Sequence, residues 1–233
     1  MQRINNDINI LYEDNHIIVV NKPAGILSQK DKTGDDSIIE ILKDYIKKKY
    51  NKPGNVFLGS VHRLDRPTSG IMVFARTSKA LTRLTVSIRH KEFDKKYYAI
   101  LEGKMSVKSG RLIHYLIKDS KKNIVKAYND IVANSKKAEL EFSLLSIINN
   151  FSLVDIHLIS GRSHQIRSQF RKKFFPVVGD FKYGSRVKIP DRSICLHSYS
   201  LSFVHPVRKE RMSFRSLPDF DKCFWEKFVK IIS

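Results

Sequence analysis

Two runs at residues 137–147 and 151–159, in which apolar side chains alternate with polar ones on either side of Asn149-Asn150, constrain this chain's fold more than any other feature. Alternation is the period of a half-buried strand, and an asparagine pair supplies the turn, so the segment predicts an antiparallel hairpin. A second hairpin is predicted near the N-terminus, where residues 9–13 and 16–21 flank Asp14-Asn15 and lead into Lys22-Pro23-Ala24-Gly25. Residues 70–75, 96–103 and 194–204 also read as strands. After Asp36 and Ser37, either able to cap, Ile38, Ile41, Leu42, Tyr45 and Ile46 follow helical spacing as far as Pro53-Gly54. Further helices are predicted from Ser78, over residues 163–173, and after Leu217-Pro218, where Phe220, Cys223, Phe224, Phe228 and Ile231 form an apolar stripe. Strands mixed irregularly with helices imply an α+β fold, an extended mixed and largely antiparallel sheet flanked by helices.

The 233 residues, 42% of them hydrophobic, suffice for a sizeable core and are expected to form a single domain over 1–233. Lys and Arg number 43 against 23 Asp and Glu, a formal net charge of +20, which suits a polyanionic partner or, more blandly, solubility. No stretch approaches the length of a membrane span, and the N-terminus lacks a secretory leader, so a cytoplasmic protein is expected. Cys195 and Cys223 lie in no CxxC or His-rich pattern and read as free thiols. Lys47-Lys48-Lys49 fall where a helix dipole favours cations, so that cluster is explained without a polyanion contact.

Against this positive background, His62-Arg63-Leu64-Asp65-Arg66-Pro67-Thr68-Ser69-Gly70 sets one carboxylate between arginines, just before an apolar strand. Neighbouring guanidinium charges favour an ionised Asp, which can act as nucleophile or base; taken alone, the same Asp could be a solvated turn residue. Lys95-Lys96-Tyr97-Tyr98-Ala99 puts Lys95 and Tyr97 on one face of a strand, where a tyrosine ring could stack on a base or simply line a core. Leu158-Ile159-Ser160-Gly161-Arg162-Ser163-His164-Gln165-Ile166-Arg167 opens a short basic helix, and Pro176-Val177-Val178-Gly179-Asp180 and Tyr183-Gly184 follow it.

The first of these strings resembles the HRLDxxTSG signature of the RluA-type pseudouridine synthases, enzymes that isomerise uridine within RNA. The Lys-Pro-Ala-Gly turn, the Lys95–Ala99 string and the block ending in Arg167 resemble the family's other motifs, in the family's order. The resemblance extends from about residue 8 to residue 220 and leaves no room for an N-terminal S4 domain. It implies a pseudouridine synthase fold with a central cleft, Asp65 as the catalytic carboxylate, Arg167 as its ion-pair partner, and Tyr97 as the ring that stacks on uracil and accepts the C5 proton. Arg63 would act near the position an extruded uridine vacates. His62, Arg66, Lys95, Arg162 and His164, in the same motifs, are expected to contact the substrate. Isomerisation consumes no external reagent, so no cofactor and no metal is expected; the partner is ribosomal or transfer RNA, and a monomer is expected. Three departures from the family pattern stand out: Gln169 where His is common, Ser160 where Thr is usual, and Phe174-Phe175 where a Gly-containing pair often precedes the proline.

Two other functions compete. A non-catalytic RNA-binding or ribosome assembly factor could retain the fold without turnover. A hydrolase acting at an anomeric carbon would need a second carboxyl group of elevated pKa, and Glu92, Asp94, Asp155 and Asp180 lie in no motif suggesting that role.

Overall fold

A computed structural model describes residues 8–31, 34–191, 193–221 and 224–233. The chain divides into two compact units, residues 1–93 with 201–216 and residues 94–200 with 217–233.

In the first unit, the hairpin of β1 (Asn9–Glu13) and β2 (Ile17–Lys22) is closed by the Asp14 carboxylate, which accepts the backbone N–H groups of His16 and Ile17, both at 2.8 Å. This is an Asx turn, the reason Asp-Asn suits the position. Helix α1 (Ile38–Lys49) follows as predicted. The two-residue strand β3 (Gly59–Ser60) and β4 (Ser69–Ala75) come next, and β4 pairs antiparallel with β2 from Ile17↔Ala75 to Lys22↔Gly70. Ile17, Ile18, Val19 and Val20 are all fully buried, which explains why β2 reads as a continuous apolar run rather than an alternation. Helix α2 (Ser78–Arg89), capped by the Thr77 hydroxyl, contributes Ala80 and Leu84 to a core shared with Val19, Ile71, Val73, Phe93, Leu201 and Phe203.

One carboxylate ties this unit together. Glu13, at the end of β1, accepts hydrogen bonds from Lys49 (2.7 Å), Tyr45 (3.1 Å), Tyr50 (2.9 Å) and Arg76 (2.9 Å). Lys49 therefore has an internal partner, in keeping with the structural reading of the lysine cluster. Burial pushes the Glu13 carboxyl up, but the hydrogen bonds and the Arg76 charge outweigh it and hold the pKa below the usual carboxylate range. A depressed folded-state pKa contributes stability above the unfolded value of about 4.5, and that contribution is lost as pH falls through the folded value. Glu13→Gln is thus expected to lower Tm at neutral pH and to flatten its fall between about pH 5 and pH 3, read by calorimetry. An acid limb identical to the wild type would contradict this.

The second unit holds five strands in the order β5-β9-β8-β6-β7: β5 (Asp94–Glu102), β6 (Ser109–Asp119), β7 (Ile124–Tyr128), β8 (Lys136–Ile148) and β9 (Phe151–Leu158). Every neighbouring pair among them is antiparallel. The predicted β8–β9 hairpin is present, with Asn149 in the left-handed conformation its turn requires (φ 54°). Helix α3 (Gln165–Lys173) covers one face, and Phe170 and Phe174 pack their rings against Phe142 of β8. Strand β10 (Leu196–Val204) leads back into the first unit, where β11 (Arg211–Arg215) follows.

Three details differ from the sequence-based reading. Strands β6 and β7 are not anticipated by it, because the inward face of β6 runs Leu112, His114, Leu116 and the imidazole interrupts the apolar alternation. The predicted C-terminal helix is a 3-10 turn (Trp225–Phe228) and one α turn, α4 (Val229–Ile232), preceded by Phe224 in the left-handed region (φ 65°). Cys195 is a fully buried, disulfide-bonded residue rather than a free thiol, and Cys223 lies outside the described residues.

Two of the departures from the family pattern are accounted for by packing. Gln169 is fully buried, and its amide nitrogen donates to the Leu112 carbonyl (3.2 Å) and lies 3.0 Å from His114 Nδ1. Burial and the nearby Lys172 and Lys173 lower the His114 pKa, favouring the neutral ring that can accept from an amide. Phe175 lies over Gly103, where an added Cβ would come within 2.3 Å of the ring, so the bulkier pair before Pro176 is matched by an absent side chain opposite.

Candidate active site

Asp65 lies half-buried in the first unit, in the loop that enters β4. The residues beside it are fixed from below. Leu64 is buried; its N–H donates to the Ser28 hydroxyl (3.1 Å), which in turn donates to the Leu64 carbonyl (2.6 Å). The Gly25 N–H donates to the Arg66 carbonyl (2.8 Å), and Arg66 Nε donates to the Gly25 carbonyl (2.9 Å). Gly25 has φ 88°, a conformation that favours glycine. The Thr68 N–H to Asp65 carbonyl bond (3.0 Å) closes the turn over Arg66-Pro67.

Beneath this loop is Lys22, fully excluded from solvent. Its ammonium donates to the carbonyls of Pro23 (2.8 Å), Ile26 (2.9 Å) and Arg66 (3.4 Å). Burial pulls its pKa down to about 7; the Asp65 charge is the influence that opposes this, and Arg66 adds to it. The Lys-Pro-Ala-Gly turn thus carries a buried cation electrostatically coupled to Asp65, which sequence reasoning treated only as a supporting turn. Of the other predicted residues here, Arg63 is exposed, and Arg66 forms an ion pair with Asp35 (2.7 Å). His62 is half-buried, accepts the Val73 N–H at Nε2 (3.2 Å) and sets its ring edge-on to Phe93.

The remaining predicted residues lie in the second unit. In β5, Lys95 and Tyr97 share a face, as their spacing predicts. Tyr97 pairs across the sheet with Ile156, which pairs with Phe142, whose ring meets Phe170 of α3. Directly paired residues project to the same side of a sheet, so Tyr97 and Lys95 face the side covered by α3. Tyr97 is 6% exposed. Burial lowers the Lys95 pKa, and its ammonium lies 3.2 Å from where a Cβ on Gly161 would be, so the glycine of the Ser160-Gly161-Arg162 turn makes room for it. The opposite face carries Tyr98, stacked on Tyr199 at 3.8 Å, with the Tyr199 hydroxyl donating to Asp155 (3.1 Å).

The turn preceding α3 is pinned to β8. The Ser160 hydroxyl accepts the Glu139 N–H (2.8 Å) and donates to Gln165 Oε1 (2.8 Å), which also accepts the Arg162 N–H (3.0 Å); Gln165 Nε2 donates to the Glu139 carbonyl (3.0 Å). Serine performs this with its hydroxyl alone, which accounts for the third departure. Arg162 is exposed, and its Nε donates to the Lys137 carbonyl (3.2 Å).

Arg167, in the first turns of α3, is buried, and its guanidinium is clamped by Asp180: Nε to Oδ2 at 2.7 Å and Nη2 to Oδ1 at 2.8 Å. The Tyr183 ring lies 5.0 Å from the guanidinium carbon. The Tyr183 hydroxyl accepts the Val125 N–H (2.8 Å) and is 2.9 Å from Nδ1 of His164, a residue in the left-handed conformation (φ 48°). Asp180 and Tyr183 are site residues that sequence reasoning missed. The available signal was an acid ending the apolar run Pro176-Val177-Val178-Gly179, a place where a carboxylate is buried only if paired.

The structure therefore gathers His62, Arg63, Asp65 and Arg66 on one supported loop. It gathers Lys95, Tyr97, Arg162, His164 and Arg167 around one face of a sheet. A carboxylate beside a buried ammonium can attack or remove a proton, and a buried ring with a fixed guanidinium can hold a planar base and stabilise negative charge. No group of three or more His, Cys, Asp or Glu among the described residues could hold a metal ion.

Residues 16–172 match the family described as RNA pseudouridylate synthase. The chain is 33% identical over 215 residues to the dual-specificity RNA pseudouridine synthase RluA of Haemophilus influenzae, covering 91% of this chain and 94% of that protein. It is 33% identical over 213 residues to the ribosomal large subunit pseudouridine synthase C of Buchnera aphidicola subsp. Baizongia pistaciae, covering 87% of this chain but only 64% of that protein. To the tRNA pseudouridine synthase C of Haemophilus ducreyi it is 30% identical, covering 91% and 92%. Among solved structures, human RNA pseudouridylate synthase domain containing 4 superposes with a TM-score of 0.75 at 23% identity, covering 91% of this chain and 89% of that one. Human RNA pseudouridylate synthase domain containing 1 gives 0.73 at 22% identity, covering 94% and 87%. At such identities the structural likeness is one of fold.

Proposed function

The chain belongs to the RNA pseudouridylate synthase family, and from that membership we propose that it isomerises specific uridines of ribosomal or transfer RNA to pseudouridine with Asp65 as the catalytic carboxylate. The observation that carries the assignment is the loop itself: Asp65 is flanked by residues locked to Ser28 and Gly25 and is coupled to the buried Lys22 ammonium. That is the pre-organisation a reacting carboxylate needs.

The reaction breaks the bond between C1′ and N1 of uracil, turns the base, joins C1′ to C5 and releases the C5 proton. Asp65 either attacks C1′ or takes the 2′ proton, and both routes need it ionised. Tyr97 supplies the ring on which uracil stacks and is assigned as acceptor of the C5 proton, directly or through water. Arg167 is the guanidinium assigned to Asp65. A uridine stacked in a helix cannot present C1′, so it is extruded at a cost of a few kcal/mol, and Arg63, exposed on the Asp65 loop, is assigned to fill the gap. Lys95, Arg162 and His164 complete the substrate contacts of the second unit, and His62 supports the Asp65 loop through Val73 and Phe93.

The protein is assigned to the cytoplasm as a monomer without cofactor. No helix among the described residues is long and apolar enough to cross a membrane. The test is a carbodiimide map of RNA from cells with and without the gene: a site lost with the gene and restored by the purified protein on a transcript supports the assignment. If every site persists and the protein binds RNA without converting it, the chain is an assembly factor on the same fold.

A further inference from the structure

In the second unit, β7, the last turns of α3 and the 3-10 turn Phe181–Tyr183 enclose a groove of about 650 Å³. Lys126, Tyr128, Arg171, Lys172, Phe181 and Lys182 line it, and no acidic side chain among the described residues does. Helix polarity accounts for Arg171 and Lys172, which lie in the last turn of α3 where cations are favoured. It does not account for Lys126 on a strand or for Lys182 in the 3-10 turn, whose ammonium donates to the Asn123 carbonyl (3.3 Å). Four cations drawn from three elements to one concavity repel one another unless an anion lies among them. Phe181 stands 53% exposed at the same place, a large ring left in water beside the cations.

We propose that this groove is an accessory RNA site, in which a phosphodiester segment flanking the modified region lies among Lys126, Arg171 and Lys172 with a base stacked on Phe181. The inference rests on RNA being the substrate. Positive charge that follows the backbone, combined with an exposed aromatic platform, is how sequence-tolerant single-strand contacts are built. The outer strand β7 could instead pair with an extended peptide. Four cations around one exposed ring favour the polyanion.

The groove connects to the candidate active site through one side chain. Tyr183 lines the groove and also carries the Arg167 guanidinium against its ring, while Ser168, another lining residue, follows Arg167 on α3.

The test measures RNA binding in an Asp65→Asn background, so that turnover does not intervene, with purified ribosomal RNA and transfer RNA as probes. Lys126→Gln with Lys172→Gln is expected to reduce the slope of log affinity against log salt by about 1.4 to 1.8, at roughly 0.7–0.9 for each phosphate no longer neutralised. Phe181→Ala is expected to weaken binding about tenfold with the slope unchanged, the signature of stacking. With Asp65 intact, the loss in kcat/KM of both variants is carried by KM. All three side chains are exposed, and circular dichroism checks the fold. Unchanged affinity and slope would overturn the proposal, as would polyglutamate displacing the RNA while the groove variants bind it like the wild type. A wild type that binds RNA with the full slope but forms no pseudouridine would instead sink the catalytic assignment and leave the groove standing.

Discussion

Replacing Asp65 with asparagine is expected to cut pseudouridine formation by at least about a thousandfold, while RNA affinity stays within about threefold. The amide keeps the size of the side chain and its place on the loop, but it can neither attack C1′ nor take a proton. Removing an interaction that exists only in the transition state falls on kcat, whereas removing one made equally to bound substrate falls on KM. The loop's described anchors are the Leu64, Arg66 and Thr68 backbone groups and the Arg66 side chain, all of which the variant keeps. Single-turnover assays with excess enzyme separate the two effects. Retention of more than about a tenth of the wild-type rate by the variant would exclude Asp65 as the reacting group.

The second large effect is expected on stability. Asp180 is 1% exposed and Arg167 is 4% exposed, and the carboxylate engages the guanidinium through two hydrogen bonds of 2.7 and 2.8 Å. Asp180→Ala leaves a buried guanidinium without that partner, a change that costs about 3–5 kcal/mol. For a chain of this size that is a fall in Tm of roughly 6–20 °C. Removing both groups, with Arg167→Met and Asp180→Leu, is expected to cost less than the sum of the two single losses, because each single variant already breaks the same bidentate pair. Strictly additive losses in the double variant would show that the two groups act independently. The same clamp fixes the guanidinium in place, so Asp180→Asn, which retains volume and one acceptor, is expected to lower turnover more than it lowers Tm.

Much of the scaffold was legible because its signals are local. The Asn149-Asn150 turn, the β2 apolar run, the spacing of Ile38, Leu42 and Ile46, and the Lys95–Tyr97 alternation each report one element through its own period. What escaped depended on partners distant in sequence. Strand β6 hides its period because His114 is buried, which is tolerable only with Gln169, 55 residues away, at its ring nitrogen. Lys22 looks like an ordinary turn lysine until three carbonyls surround its ammonium and the charge of Asp65 acts on it. The family's motifs singled out Asp65, Tyr97 and Arg167 as expected site residues, yet Asp180, present in one of those motifs, carried no role until the geometry gave it a guanidinium.

Tyr183 fixes a spacing. Its ring is braced on one side by the Arg167 guanidinium and at its hydroxyl by the Val125 amide and His164. Sliding it would break these braces together, so it behaves as a stiff party wall with the groove behind it. In the accessory site proposed above, a strand in that groove would therefore be held at a set remove from the Arg167 guanidinium.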